Sequence, residues 1–148
     1  MTQNLTNFLN GAKNKNFATQ TGTQKHTLLQ RVIIDTDIES GDFDTIRQIK
    51  KHSNLLPFFT KSAQTEVPIA GNLNGHFVSR RIDRILINHT TKTIDFIDYK
   101  TDTDKIIFIN QYKNQLKEYA TLLHSAYPKY QITGYILWLQ DWTLDKII

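Results

Sequence analysis

Two apolar, β-branched stretches separated by six polar residues constrain the fold of this chain more than any other feature. The stretches cover residues 77–87 and 94–101, and the polar residues 88–93 lie between them. This pattern predicts two antiparallel strands joined by a hairpin turn. If the turn is centred on Thr90 and Thr91, the pairing register of the two strands is fixed.

In this register Asp83 falls opposite Asp98, and Lys100 lies on the same strand face as Asp98. Directly opposed side chains lie about 4.5–5.5 Å apart at Cβ, where like charges destabilise a sheet. A divalent cation between the carboxylates would reverse the sign of that interaction. Mg²⁺ suits carboxylate, carbonyl and water ligands, and it lowers the pKa of an attacking water. The pattern therefore indicates metal-dependent phosphodiester hydrolysis, in which Lys100 orients the water or holds the phosphate.

A simpler alternative is that Asp98 and Lys100 form an ordinary exposed ion pair and that Asp83 is one more polar residue on a strand. Exposed ion pairs contribute only about 0–1 kcal/mol to stability. The Asp-x-Lys tripeptide alone does not decide between these interpretations, and the rest of the chain has to be considered.

The remaining segments predict an α/β fold with a mixed central β-sheet flanked by helices. A loop containing Gly22 leads into a helix whose first turn carries His26, and Asp42 is a candidate N-cap for a helix over residues 43–52. Residues 63–68 and 130–139 are predicted strands, residues 108–126 a long helix, and residues 142–148 a short closing strand. Because the strand at 130–139 follows a long helix, it can lie parallel to a neighbour.

Five sequence blocks in this order resemble the nuclease domain of AddA/RecB-type helicase-nucleases, a branch of the PD-(D/E)XK superfamily. The tail from Tyr135 to Leu139 resembles the last strand of AddA double-strand-break repair subunits, and the resemblance runs from about Thr21 to the C-terminus. The blocks are Gly-Thr-x-x-His-x-Leu-Leu from Gly22, Glu-x-Pro from Glu66, Ile-Asp-Arg from Ile82, Asp-Tyr-Lys-Thr from Asp98 and Gln-Leu-x-x-Tyr-Ala from Gln115.

The resemblance implies a set of metal ligands and a catalytic lysine. The implied ligands of Mg²⁺ or Mn²⁺ are His26, Asp83, Asp98 and the backbone carbonyl of Tyr99, and the implied catalytic residues are Asp83, Asp98 and Lys100. A second group near the site comprises Glu66, Gln115 and Tyr119. Three alternatives stay open: His26 as a helix cap or packed side chain, Gln115 and Tyr119 as a helix face against the sheet, and Glu66 as a solvated edge residue.

The basic residues favour DNA as a partner. The chain has a formal net charge of +4, and a basic balance favours a polyanionic partner and salt-sensitive binding. Arg80 and Thr21 depart from the family pattern, and Arg80 either narrows the groove or adds a phosphate contact. A solvated basic face is the alternative for the N-terminal lysines. The predicted DNA-binding residues are Lys25, Arg80, Arg81 and Arg84.

The acidic run from Asp35 to Asp44 is interpreted as a solvated loop, because its spacing does not match a calcium-binding loop.

At 148 residues the chain suits one nuclease domain over residues 21–148, and residues 1–20 form either a flexible or a partner-docking segment. No ATP-binding phosphate loop occurs, so we expect no ATP and no helicase motor in this polypeptide. A separately encoded helicase chain is a candidate partner, and a non-catalytic DNA-binding or assembly module is the alternative function.

Two further absences in the sequence narrow the expected cofactors and location. Cysteine is absent, which excludes a cysteine-ligated iron–sulfur cluster. No signal peptide or membrane span is visible, so we expect a cytoplasmic protein without membrane contact.

Overall fold

The fold is known from a computed structural model that describes residues 22–148. The interpretation of residues 1–20 as a flexible or partner-docking segment lies outside these residues. The first helix, α1, covers residues 22–30. The later elements are β1 Ile33–Ile34, β2 Glu39–Ser40, α2 Phe43–Lys50, a 3₁₀ helix Ser53–Phe59, β3 Gln64–Leu73, β4 His76–Asn88, β5 Thr93–Lys100, α3 Lys105–Ala126, β6 Gln131–Trp138 and β7 Thr143–Lys146.

A five-stranded mixed sheet in the order β3-β4-β5-β6-β7 forms the centre of the fold. Neighbouring strands are antiparallel except β5 and β6, which are parallel. The connection between two parallel strands has to cross over, and here α3 makes that crossover. The prediction of an α/β fold with a mixed central sheet and flanking helices is confirmed.

The β4–β5 hairpin has the predicted register. Arg84 pairs with Ile97 and Asn88 pairs with Thr93, which centres the turn on Thr90 and Thr91. The Asn88 side chain accepts hydrogen bonds from the backbone amides of both threonines, at 3.0 Å each. A local side-chain bond of this kind stabilises the turn and thereby the register of the strands beyond it.

Each face of the sheet buries its own apolar cluster. On one face α3 packs Leu116 and Tyr119 against the sheet residues Phe96, Ile136 and Trp138. The other face is covered by α1, α2 and the 3₁₀ helix, and its cluster includes Leu29, Val32, Ile49, Phe59, Ile97 and Leu137. Full burial of one such side chain stabilises the fold by roughly 1.5–3 kcal/mol. The two clusters fix the helices at opposite sides of β5.

Two predicted helix starts are wrong and one is confirmed. Gly22 is already helical, so the loop expected before His26 is part of α1. Helix α3 begins at Lys105, earlier than Phe108, because the Asp104 side chain caps the amides of its first turn. Asp42 caps α2 as predicted, and its carboxylate accepts from the Thr45 amide at 2.9 Å.

The β3–β4 hairpin is longer than the sequence interpretation indicated. Strand β3 continues to Leu73 and is joined to β4 by Asn74 and Gly75, whose φ angles are +51° and +80°. An Asn-Gly pair between two strands is a strong signal for a tight turn with two positive φ angles. This signal was present in the sequence and predicts the observed turn.

The acidic run is exposed or half-buried, as predicted, but it is not simply a loop: Glu39 lies in β2, Asp42 caps α2 and Asp44 lies in its first turn. Asp37 pairs with Lys61 and Glu39 pairs with Lys50. Within residues 22–148, no helix is both long enough and apolar enough to cross a membrane.

Candidate active site

The pairing of β4 with both neighbouring strands is interrupted at Asp83. On one side β4 pairs through Ile82 and Arg84 but not through Asp83, which faces Glu66 of β3. Glu66 has a φ of +54°, a conformation that L-residues other than glycine rarely adopt. On the other side the ladder to β5 ends at the Arg84–Ile97 pair. The sheet therefore opens at Asp83, and we call this opening the β4 fork.

The fork turns Asp83 toward α1. Its Oδ2 atom accepts a hydrogen bond from the Tyr99 amide at 2.7 Å. The same oxygen lies 3.6 Å from His26 Nε2. The His26 Nδ1–H donates to the Gly22 carbonyl at 2.8 Å, which leaves Nε2 as the nitrogen that faces the carboxylate. Contact with the Asp83 carboxylate raises the pKa of His26 above its ordinary value, against the opposing effect of burial.

Asp98 and Lys100 form a buried ion pair at the end of β5. Lys100 Nζ lies 2.7 Å from Asp98 Oδ2, and the side chains expose only 15% and 6% of their surface. The alternative of an ordinary exposed ion pair is therefore wrong. Asp98 Oδ2 nevertheless makes no hydrogen bond, so its contact with Lys100 is an ion pair only. Burial raises the pKa of Asp98 to about 6, although Lys100 opposes this.

Helix α3 holds the lysine from the other side. Lys100 Nζ donates to Gln115 Oε1 at 2.9 Å, and the Gln115 amide donates to the Tyr119 hydroxyl at the same distance. The amine also lies 4.1 Å from the centre of the Tyr112 ring, a cation–π contact. Gln115 and Tyr119 therefore form part of the lysine's surroundings in addition to packing against the sheet, and these contacts immobilise the amine next to Asp98.

Glu66 joins the group that faces α1. It lines a hollow of about 510 Å³ together with His26, Asp83 and Thr101, and it lies 3.6 Å from Arg81 in an ion pair. The alternative of a solvated edge residue is incomplete, because the side chain faces the same hollow as Asp83.

The side chains of this hollow fit a hard divalent cation, although they do not enclose one. Among residues 22–148, no three His, Asp or Glu side chains are close enough together to form a complete metal-binding group. The donor types in the hollow are carboxylate and imidazole, and Asp98 is not among the residues that line it. The Nδ1–H bond of His26 to Gly22 is the second contact that metal-binding histidines usually make. The Tyr99 carbonyl stays a predicted ligand.

Three of the four predicted DNA-binding cations are at least partly exposed. Lys25 lies on the exposed side of α1, where it lines a different hollow from Asp83. Arg80 reaches α3 and pairs with Glu118 at 3.3 Å. It lines a second hollow of about 510 Å³ next to Lys100, so it adds a cation to the groove edge.

Arg84 is not on the surface, so its prediction as a DNA contact is wrong. Its guanidinium is fully buried and donates to the Leu29 carbonyl at 2.6 Å, the Phe58 carbonyl at 3.0 Å and the Tyr99 hydroxyl at 2.8 Å. It also stacks on the Phe59 ring at 4.2 Å. Every contact is internal, and together they tie α1 and the 3₁₀ helix to β5.

The sequence contained a signal for this internal role. Arg84 is opposite Ile97 in the predicted register, which places it on an apolar strand face rather than beside Asp83. A cation on that face has to find buried acceptors.

A scan against protein-family models finds no match to this chain, and a search of curated proteins finds no sequence with significant similarity.

Proposed function

We propose that this protein is a Mg²⁺- or Mn²⁺-dependent DNA nuclease of the AddA/RecB type, with a PD-(D/E)XK core, that acts in DNA repair or recombination. One observation carries the proposal: the β4 fork places Asp83 beside His26 at the end of the strand pair where Asp98 and an immobilised Lys100 lie. His26 is far in sequence from the hairpin that carries Asp83, Asp98 and Lys100, and its proximity to Asp83 supports the proposal.

His26, Asp83, Asp98 and the Tyr99 carbonyl would hold the cation. When bound, the cation supplies positive charge at the phosphate and acidity to a water molecule. Asp98 is suited to this role because its buried Oδ2 makes no hydrogen bond, and a bound cation would share this oxygen with Lys100. The Tyr99 amide keeps Asp83 oriented by its hydrogen bond to Oδ2.

Lys100 supplies the fixed positive charge of the site. Its amine has one carboxylate, one amide oxygen and one aromatic ring around it, which restricts its rotamer before substrate binds. A pre-oriented ammonium stabilises the charge that develops on a phosphate oxygen without reorganisation. Gln115 and Tyr119 are therefore positioning residues. Tyr119 holds the Gln115 side chain, Gln115 orients the amine, and Lys100 contacts the phosphate.

The test is cleavage of end-labelled single- and double-stranded DNA by purified protein with Mg²⁺, Mn²⁺ or EDTA. We expect cleavage that requires the metal and is lost in Asp98→Asn and Lys100→Ala. The rate should fall by at least about 100-fold, because Asp98→Asn removes a proposed ligand of the cation and Lys100→Ala removes the fixed positive charge at the phosphate.

Asp95→Asn is the matched control, because Asp95 lies on the same strand as Asp98 but pairs beside Thr133, away from the Lys100 end. It should cut DNA like the wild type. Cleavage by a folded Asp98→Asn protein at the wild-type rate would refute the assignment. Retained DNA binding without any cutting by the wild type would favour the non-catalytic module.

A further inference from the structure

The first turn of α3 exposes a row of large apolar side chains near the site. Ile106 and Ile107 expose 85% and 69% of their surface, and Phe108 exposes 39%. Contiguous apolar side chains at the edge of a polar groove are unfavourable in water and mark binding surfaces in soluble proteins. Asp104 fixes this turn by capping the Ile106 and Ile107 amides, so the row has a defined backbone.

The row is connected to Lys100 through Tyr112. The rings of Phe108 and Tyr112 lie 6.0 Å apart with their planes tilted by 34°, and the Tyr112 ring lies 4.1 Å from Lys100 Nζ. The exposed Phe108 ring therefore continues an aromatic surface that already contacts the amine proposed to hold phosphate.

Polar groups that suit a nucleic-acid base follow on the same side of α3. Gln111 and Asn114 stand one and two turns after Ile107 and line the second hollow with Arg80 and Lys100. Within the described part of the chain, the two amide side chains have no hydrogen-bond partner. Amides of this kind pair with base edges, and arginine pairs with phosphate or guanine. The surface thus combines an aromatic face, free amides and a cation.

We propose that Ile107, Phe108, Gln111 and Asn114 form a binding site for an unpaired nucleobase adjacent to the phosphate at Lys100. This proposal rests on the proposed function, because it takes DNA as the ligand. A base stacks on an exposed ring only when its own face is free, whereas duplex bases cover one another. Stacking is tolerant of sequence, since every base has a π-face.

The binding test uses Asp98→Asn, which should bind DNA without cutting it. The probe is a single-stranded oligonucleotide with one 2-aminopurine base, followed by fluorescence quenching and by anisotropy. We expect quenching on binding, and a loss of affinity of roughly 5- to 100-fold in Asp98→Asn/Phe108→Ala. Phe108→Trp should retain binding and quenching. Phe108→Leu should lose both, because leucine keeps the apolar surface but has no ring.

Phe77→Ala is the matched control, because Phe77 is equally aromatic, is exposed by 74%, and lies at the start of β4. It should bind like the parent. Equal affinity of the Phe77→Ala and Phe108→Ala proteins would overturn the proposal, and so would full binding by Phe108→Leu, which would show that an aromatic ring at position 108 is not needed to bind the base. If Asp98→Asn does not fold, wild-type protein in EDTA takes its place.

The two proposals fail in different ways. If the wild type cuts no DNA but binding and quenching depend on the Phe108 ring, the proposed nuclease function is wrong and the nucleobase site stands. If the wild type cuts DNA and Phe108→Ala changes neither affinity nor quenching, the nuclease stands and the nucleobase site is wrong.

Discussion

At the scale of single residues, Asp83 and Arg84 are neighbours in sequence but differ in exposure, because the strand pairing is interrupted at Asp83 and continues at Arg84. Asp83 lies beside His26 in the open hollow, and Arg84, the next residue, is fully buried under the same helix, where it donates to the Leu29 carbonyl. The prediction from sequence grouped Arg81 and Arg84 around Asp83 by proximity along the chain. The predicted hairpin register already indicated that Arg84 is buried, because it placed Arg84 opposite the apolar Ile97.

Removal of the Arg84 guanidinium should destabilise the fold severely. Arg84→Met leaves the Leu29 and Phe58 carbonyls buried without donors, and we expect a loss of roughly 3 kcal/mol in the free energy of unfolding. Arg84→Lys should recover little, because one ammonium cannot reproduce the planar fork of donors. Urea denaturation measures the change. Arg81→Met, at an exposed position of the same strand, serves as the control, and a loss as large as that of Arg84→Met would contradict this explanation.

Two carboxylates should change stability with pH in opposite directions. Burial raises the pKa of Asp95, so its folded form binds a proton more tightly, and its contribution to stability falls as the pH rises through about 4 and beyond. The Thr45 amide lowers the pKa of Asp42, so the stabilisation by this cap is present above about pH 4 and is lost as the pH falls further.

The comparison is between Asp95→Asn and Asp42→Asn, each unfolded in urea at pH 3, 4, 5 and 7. Relative to the wild type, Asp95→Asn should become more stable as the pH rises, and Asp42→Asn should become less stable. If the stability of both variants relative to the wild type changed in the same direction with pH, the local contacts would not control the pKa values of Asp95 and Asp42.

At the scale of elements, patterns within one strand or turn were predictable and contacts between elements were not. Residues 77–101 alone specify the register of the β4–β5 hairpin, but the predicted pair of Asp83 and Asp98 does not form, because the ladder ends at Arg84 and Ile97. By contrast, the Lys100–Gln115 bond depends on the angle at which α3 crosses the sheet, which no local pattern encodes. The positive φ of Glu66 is likewise imposed by its surroundings, because glutamate has no intrinsic preference for that conformation.

The packing of β5 against β6 requires a residue without a side chain at position 134. A Cβ on Gly134 would lie 2.6 Å from Phe96 Cζ and 2.8 Å from Ile148 Cγ1. We expect Gly134→Ala to reduce the free energy of unfolding by about 1–3 kcal/mol through overpacking. The added substitution Phe96→Leu should relieve part of this loss, which a double-mutant cycle in urea would detect.

Gly75→Ala is the control for Gly134→Ala. A Cβ at position 75 would meet open space, but the residue has a φ of +80°. The Gly75→Ala protein should therefore be less stable because of backbone strain, which Phe96→Leu does not relieve. Strictly additive effects of Gly134→Ala and Phe96→Leu would disprove the contact.

At the scale of the whole molecule, the site draws on α1, β4, β5 and α3, and the two apolar clusters hold these elements at fixed positions. The α/β class and the positions of β3 to β7 along the chain followed from the sequence because apolar periodicity reflects burial directly, whereas the short strands β1 and β2 were not predicted. The β4 fork did not follow, because it is an interruption of pairing between strands that each look regular in sequence.

The position of Trp138 has a practical consequence. This residue is fully buried in the cluster under α3, with its ring 6.1 Å from that of Tyr112 and 5.5 Å from Lys105 Nζ. The sequence contains two tryptophans, and Trp142 lies outside that cluster, on the other side of the sheet. In a Trp142→Phe background Trp138 is the single indole of the sequence. Its fluorescence emission should therefore change when the aromatic residues around Lys100 move, and no attached dye is needed.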